Sequence, residues 1–208
     1  MRRKDLDATE VRVLGCLVEK QRTTPDQYPL TLNALRLACN QSTNRDPVVD
    51  FDDGAVRGAA ERLARRRLAR FASGHSSRVA KYRQLMGEEL GLDGGELAIL
   101  ALLMLRGPQT PGELKGRAER LHSFDGGGEV HETLAGLIER ELVARLDRRP
   151  GQKEERYAHR LSEERDGDDP PTTPVAAAAP AEPDPLEQRV ERLEREVAEL
   201  RTILRPDG

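Results

Sequence analysis

The 208-residue sequence predicts a mainly α protein with small β-hairpins, built as two tandem winged-helix (helix-turn-helix) domains plus a C-terminal coiled-coil helix. Three observations carry this expectation. The stretch LDATEVRVLGCLVEKQRTTPDQ from Leu6 returns as LDGGELAILALLMLRGPQTPGE from Leu92. Each copy runs through helical apolar periodicity into two short segments parted by a turn-rich stretch, the mark of a hairpin. The final segment, LEQRVERLEREVAELRTIL, spaces its apolar residues alternately four and three apart.

In the first copy, Asp7 followed by Glu10 is a capping-box start, with Leu6 and Val11 as the flanking hydrophobic staple. The first helix should run from about Asp7 to Gln21 with Val11, Leu14, Leu17 and Val18 inward. Thr31 should cap a second helix to about Asn40, and a third should span about Asp52 to Arg67 with Val56, Ala60 and Leu63 on one stripe. LARFA, SGHSS and RVAKYR then read as strand, turn and strand. The second copy repeats the order: helices at Asp93 to Arg106, Pro111 to Leu121 and Gly128 to Arg140, then a hairpin from Leu142 to Leu161.

Matching residues stand 86 apart at Leu6 and Leu92, Asp7 and Asp93, and Thr24 and Thr110, but 74 apart at Val56 and Val130 and at Leu63 and Leu137. The difference equals the length of CNQSTNRDPVVD, Cys39 to Asp50, which is therefore expected to be extra material in the first copy. Domain boundaries follow: residues 1–86, residues 87–162, a Pro/Ala/acid-rich disordered linker at 163–185, and a coiled-coil helix at 186–205. Leu186, Val190, Leu193, Val197, Leu200 and Leu204 form the a/d seam, and Arg189 with Glu194 and Glu196 with Arg201 attract between parallel chains, so a homodimer is expected.

Charge is graded along the chain. Residues 1–86 hold 17 basic and 10 acidic side chains, residues 87–165 hold 12 and 16, and residues 166–208 hold 5 and 11. A polyanion should prefer the first third. The N-terminus reaches Asp5, Asp7 and Glu10 before any apolar run, and the longest such run, Leu97 to Leu105, is far short of the roughly 20 residues a bilayer span needs. A cytoplasmic protein that does not enter the membrane is expected. Cys16 and Cys39 sit inside helical patterns as reduced core thiols, and His75, His122, His131 and His159 are scattered. No catalytic residue, metal site or cofactor is expected, and three Tyr, three Phe and no Trp give no stacking platform for single strands.

The segment Leu6 to Arg45, and TTPDQYPLTLNALRLACNQSTNRDPV above all, resembles the YceH family of uncharacterised bacterial proteins. That resemblance implies two tandem winged-helix domains with no cofactor or catalytic residue. Gln41-Ser42-Thr43 stands here where the family often has Gln-Lys-Ser, so a lysine is missing beside Asn44 and Arg45.

The third helix of copy one is the element expected to enter a DNA major groove. Opposite Val56 its face carries Gly54, Arg57, Gly58, Glu61, Arg62 and Arg65. With Arg45 and Arg66, and with Arg70, Arg78 and Lys81 on the hairpin, these arginines are the candidate contacts to double-stranded DNA; Gln41, Ser42, Thr43 and Asn44 are candidate loop contacts beside them. The loop can equally be self-bonded, fixing the third helix against the second. The matching face of copy two shows Glu132 and Glu139, which suits a protein partner better than DNA. Two functions are therefore expected, a regulatory DNA-binding protein or, as the alternative, an interaction scaffold like the winged-helix accessory subunits of condensin complexes.

Overall fold

A computed structural model describes residues 6–72, 80–148 and 154–162. The expected linker and coiled-coil helix, with its seam, lie outside the described residues, as does Arg78. The described chain runs α1 (Ala8–Thr23), β1 (Leu30–Thr31), α2 (Leu32–Cys39), α3 (Asp53–Arg65), β2 (Ala69–Ala72), β3 (Lys81–Gln84), α4 (Met86–Leu90), α5 (Gly94–Arg106), α6 (Pro111–Ala118), α7 (Gly127–Glu139), β4 (Val143–Leu146) and β5 (Arg156–His159), with a 3-10 turn at Pro25–Gln27. It is mainly helical with small antiparallel sheets.

Local chemistry sets the helix starts. The Asp7 carboxylate accepts from Glu10 N at 2.8 Å while Glu10 accepts from Asp7 N at 2.9 Å, and Asp93 and Glu96 make the same exchange at α5. Thr31 caps α2 and Asp52 caps α3 through its bond from Ala55 N. The α3 and α7 ends are equally matched. Leu68 N donates to Leu63 O and Arg67 N to Ala64 O; Leu142 N donates to Leu137 O and Glu141 N to Ile138 O. This is a Schellman stop in both copies, with Arg67 and Glu141 in the left-handed region at φ 62° and 54° where glycine is usual.

The caps also correct the position of the extra material. Asp7 and Asp93 stand 86 apart, Thr31 and Thr110 stand 79 apart, and Asp52 and Gly126 stand 74 apart. The register therefore changes twice, between the first and second helices and again between the second and third. Thr24-Pro25 copies Thr110-Pro111 in sequence, yet Pro25 opens the 3-10 turn while Pro111 opens α6. Asn40 ends α2 at φ −90°, and the left-handed conformation falls at Asn44, inside the loop.

In the first copy β3 lies between β1 and β2, pairing Leu30 with Tyr82 and Phe71 with Tyr82. The second pairs β4 with β5, and Gln109 and Tyr157 exchange backbone bonds of 3.0 and 2.8 Å where β1 would lie.

Residues 1–165 are one compact unit, and a single buried cluster runs through both copies. Its centre is the packing of α1 on α5. Leu97 to Leu105 on α5 are all buried, because one side meets α1 while the others meet α6, α7 and β5. Gly15 marks the closest approach: a Cβ there would lie 3.0 Å from Leu105 Cγ and 3.2 Å from Met104 Cβ. The copies are also joined by backbone bonds, Leu6 N to Leu161 O at 3.0 Å and Asp46 N to Leu105 O at 2.9 Å.

On β5, His159 accepts Leu161 N at its Nδ1, and burial pushes its imidazole down to about 4. An unfolded histidine titrates near 6.5, so the fold favours the neutral ring. That contribution is complete above about pH 6.5 and is lost as pH falls toward 4. Urea midpoints of the wild type should fall across that window, and the fall should be shallower in His159→Gln; parallel slopes in the two proteins would refute the assignment.

Candidate nucleic-acid interface

The loop from Asn40 to Asp52 is largely self-bonded. The Asn40 amide donates to Phe51 O and accepts from Phe51 N, both at 2.9 Å, closing an eleven-residue span. Arg45 lies at its centre with its side chain fully buried. Nε donates to Ala38 O, Nη1 to Glu19 Oε1 and Asn44 O, and Nη2 to Glu19 Oε2 at 2.7 Å and Gln41 Oε1 at 2.7 Å. All five guanidinium protons thus have acceptors. Burial pulls the Arg45 pKa down, but the bonds and charge of Glu19 outweigh it and the net direction is up. Burial likewise pushes Glu19 up, and Arg45 and Lys20 bring it below its ordinary value.

A second buried arginine supports the loop from below: Arg12 donates to Cys39 O at 3.1 Å and to Pro47 O. Asn44 accepts from Arg106 at the end of α5, so the loop also holds the second copy. Gln41, Asn44 and Arg45 therefore have internal partners, while Ser42 and Thr43 are exposed. Arg45, expected among the DNA contacts, is inaccessible because a carboxylate and three loop or helix oxygens surround it.

Two more arginines expected among the DNA contacts, Arg62 and Arg66, are paired with carboxylates at the start of α1. Arg62 Nη2 meets Asp7 at 2.7 Å and its Nε meets Glu10 at 3.2 Å; Arg66 Nε lies 3.6 Å from Glu10. The second copy explains the Arg66 contact. Arg140, its counterpart at the end of α7, meets Glu96, the counterpart of Glu10, at 2.9 Å. A pair that recurs in both copies ties the start of the first helix to the end of the third and belongs to the fold.

Arg57, Glu61 and Arg65 behave differently. They are exposed on α3 four residues apart, and among the described residues they form no ion pair. Asp53, the other carboxylate near this face, is taken by Arg36 of α2 at 2.8 Å. Burial raises the pKa of Tyr82, and the charges of Arg57 and Glu61 both reach its hydroxyl, in opposite directions. The counterparts of these three in copy two, 74 residues on, are His131, Ala135 and Glu139. The same helix thus folds without this charge pattern.

On the hairpin, strand alternation and register divide the side chains. Phe71 and Tyr82 share one face, their ring centroids 5.2 Å apart, while Arg70 shares the other with Lys81 and Arg83. Arg70 is exposed, Lys81 half-buried, and Arg83 is paired with Glu88 at 2.6 Å. The hairpin cations therefore leave the sheet on the face opposite Tyr82.

Nothing in the sequence pattern separated Arg57 and Arg65 from Arg62 and Arg66. The repeat offered a signal for Arg66 alone: Glu10 and Glu96 match, as do Arg66 and Arg140, whereas Arg57, Arg62 and Arg65 have no arginine at the matching positions, His131, Gly136 and Glu139. Both thiols are buried, and the hydrogen bond that Cys39 donates to Cys16, and then burial, push Cys39 up. Among the described residues no cluster of His, Cys, Asp or Glu could hold a metal ion, and no helix is long and apolar enough to cross a membrane.

Fold and site together define a duplicated, mainly helical protein with small antiparallel sheets and an uncommitted charged stripe on the third helix of its first half. The chain belongs to the family described as "Protein of unknown function, DUF480", whose model matches residues 6–152. It is 48% identical over 207 residues to a UPF0502 protein of Klebsiella pneumoniae (strain 342), covering 96% of this chain and 94% of that one. It is also 45% identical over 207 residues to the UPF0502 protein YceH of Escherichia fergusonii, with the same coverage, and 48% identical over 198 residues to a UPF0502 protein of Pelobacter propionicus, covering 94% and 90%.

Proposed function

We propose that this chain is a cytoplasmic, dimeric, tandem winged-helix protein that binds double-stranded DNA in a regulatory role. Its modules are residues 1–86 and 87–162, joined through α1 and α5, with the segment 186–205 as the dimerising coiled coil. The observation that carries the reading is the contrast between the copies. The Arg66–Glu10 pair recurs as Arg140–Glu96, whereas Arg57 and Arg65 stand exposed and unpaired among the described residues, on a helix whose copy does without them. Exposed arginines at the third helix suit phosphate oxygens and guanine edges.

A second reading, an interaction scaffold, is favoured by copy two, where Glu132 and Glu139 are exposed on α7. In that case the exposed surface of α7 would meet a basic protein.

Fluorescence anisotropy with a mixed-sequence duplex separates the two. Affinity should fall steeply between about 50 and 200 mM salt, and removing one arginine–phosphate pair should flatten the log–log slope by about 0.9. Arg57→Ala with Arg65→Ala should weaken binding on the order of tenfold or more. Arg45→Ala is a poor control, since it disrupts the loop. Absence of binding at low salt would reject the DNA reading.

A further inference from the structure

The one carboxylate on the cationic stripe of α3 is the feature that simple phosphate binding does not account for. Glu61 is exposed, with Arg57 one turn before it and Arg65 one turn after. Pairs at this spacing contribute only about 0.3–0.5 kcal/mol when exposed, and here, among the described residues, neither is formed. Its counterpart in copy two is Ala135, also exposed, so the helix does not need an acid at this position. A carboxylate on a surface that approaches DNA is repelled by phosphate. It is compatible with close approach only where a base edge offers it a proton, and in the major groove its fitting partner is the N4 amino group of cytosine.

We infer that Glu61 is a specificity-determining residue that accepts a hydrogen bond from cytosine, with Arg57 and Arg65 reaching guanine edges or phosphates on either side; this rests on the DNA reading above. From Arg57 to Arg65 the helix rises about 12 Å, so the three side chains address a core of roughly three to four base pairs. Glu61 makes the site selective at the expense of general affinity, since it opposes every phosphate and favours one base.

The test is selection from a duplex library with a randomised core, using the full chain, followed by anisotropy on the selected duplex. Wild type should enrich cytosine at one position, with a discrimination on the order of tenfold. Glu61→Gln should shift that position to adenine, because an amide can pair with adenine N6 and N7. Glu61→Ala should lose the preference while binding mixed-sequence duplex as tightly as wild type or more so. Unchanged enrichment in Glu61→Gln, or binding by wild type with no preferred base, would overturn the role of Glu61 and leave DNA binding standing. Absence of wild-type binding in the salt titration would instead remove both. Equal thermal melting of the three proteins excludes misfolding as the cause.

Discussion

Replacing Arg45 with methionine should cost about 3–5 kcal/mol of stability, the largest single-site effect expected in the described fold. The guanidinium is buried and bidentate to Glu19, and its removal leaves a largely buried carboxylate without its principal partner. Three further acceptors, Ala38 O, Asn44 O and Gln41 Oε1, lose a donor at the same time. For a protein of this size each kcal/mol lowers the melting temperature by about 2–4 °C, so the melt should shift by on the order of 10 °C or more. Adding Glu19→Met should recover part of the loss, because the stranded charge disappears while the loop oxygens remain unserved. Arg45→Lys should not rescue, since an ammonium has three protons and no planar fork for two carboxylate oxygens. A urea titration in which Arg45→Met loses less than about 1 kcal/mol would show that the loop is held by something other than this pair.

At the contact between the copies, Gly15→Val should destabilise by about 2–3 kcal/mol. The new side chain would enter the space occupied by Leu105, whose atoms lie 3.0 Å from the Cβ position and which is itself buried with little room to swing. Gly15→Ala tests the balance more finely. A helix interior gains about 1 kcal/mol on exchanging glycine for alanine, while overpacking costs about 1–3, so the net should be a modest loss. Gly116 on α6 supplies the control, since a Cβ there meets nothing within 4 Å. Gly116→Ala should therefore stabilise by up to about 1 kcal/mol. Chemical denaturation of the three variants side by side decides the matter, and equal gains at Gly15 and Gly116 would mean that α1 and α5 can part without loss.

Much of the fold was legible because its signals are short-range. Asp7 with Glu10, and Asp93 with Glu96, capped the helices as their three-residue spacing requires. Helical periodicity set the three helices of each copy, but that the Leu97 to Leu105 run is buried on every side emerged only from its packing. The short elements β1 and α4 were not legible: β1 is two residues whose identity as a strand comes from pairing with Tyr82 and Lys81, fifty residues away. The single twelve-residue insertion also failed, because a chance match of Thr24-Pro25 to Thr110-Pro111 hid the first of two register changes.

The candidate site divides in the same way. Charge counts alone placed the net positive charge in the first 86 residues. Which of them face solvent depended on partners distant in sequence. Glu19 captures Arg45 from 26 residues away, Asp7 and Glu10 draw in Arg62, and Glu10 receives Arg66. By itself the sequence determined the repeat, the caps and the sign of the charge, since each is written in neighbouring residues. Only the tertiary structure decided that Arg45 is a structural post and that Arg57, Glu61 and Arg65 remain available, because a guanidinium's role is fixed by which carboxylates the packing of α1, α2 and α3 brings within reach.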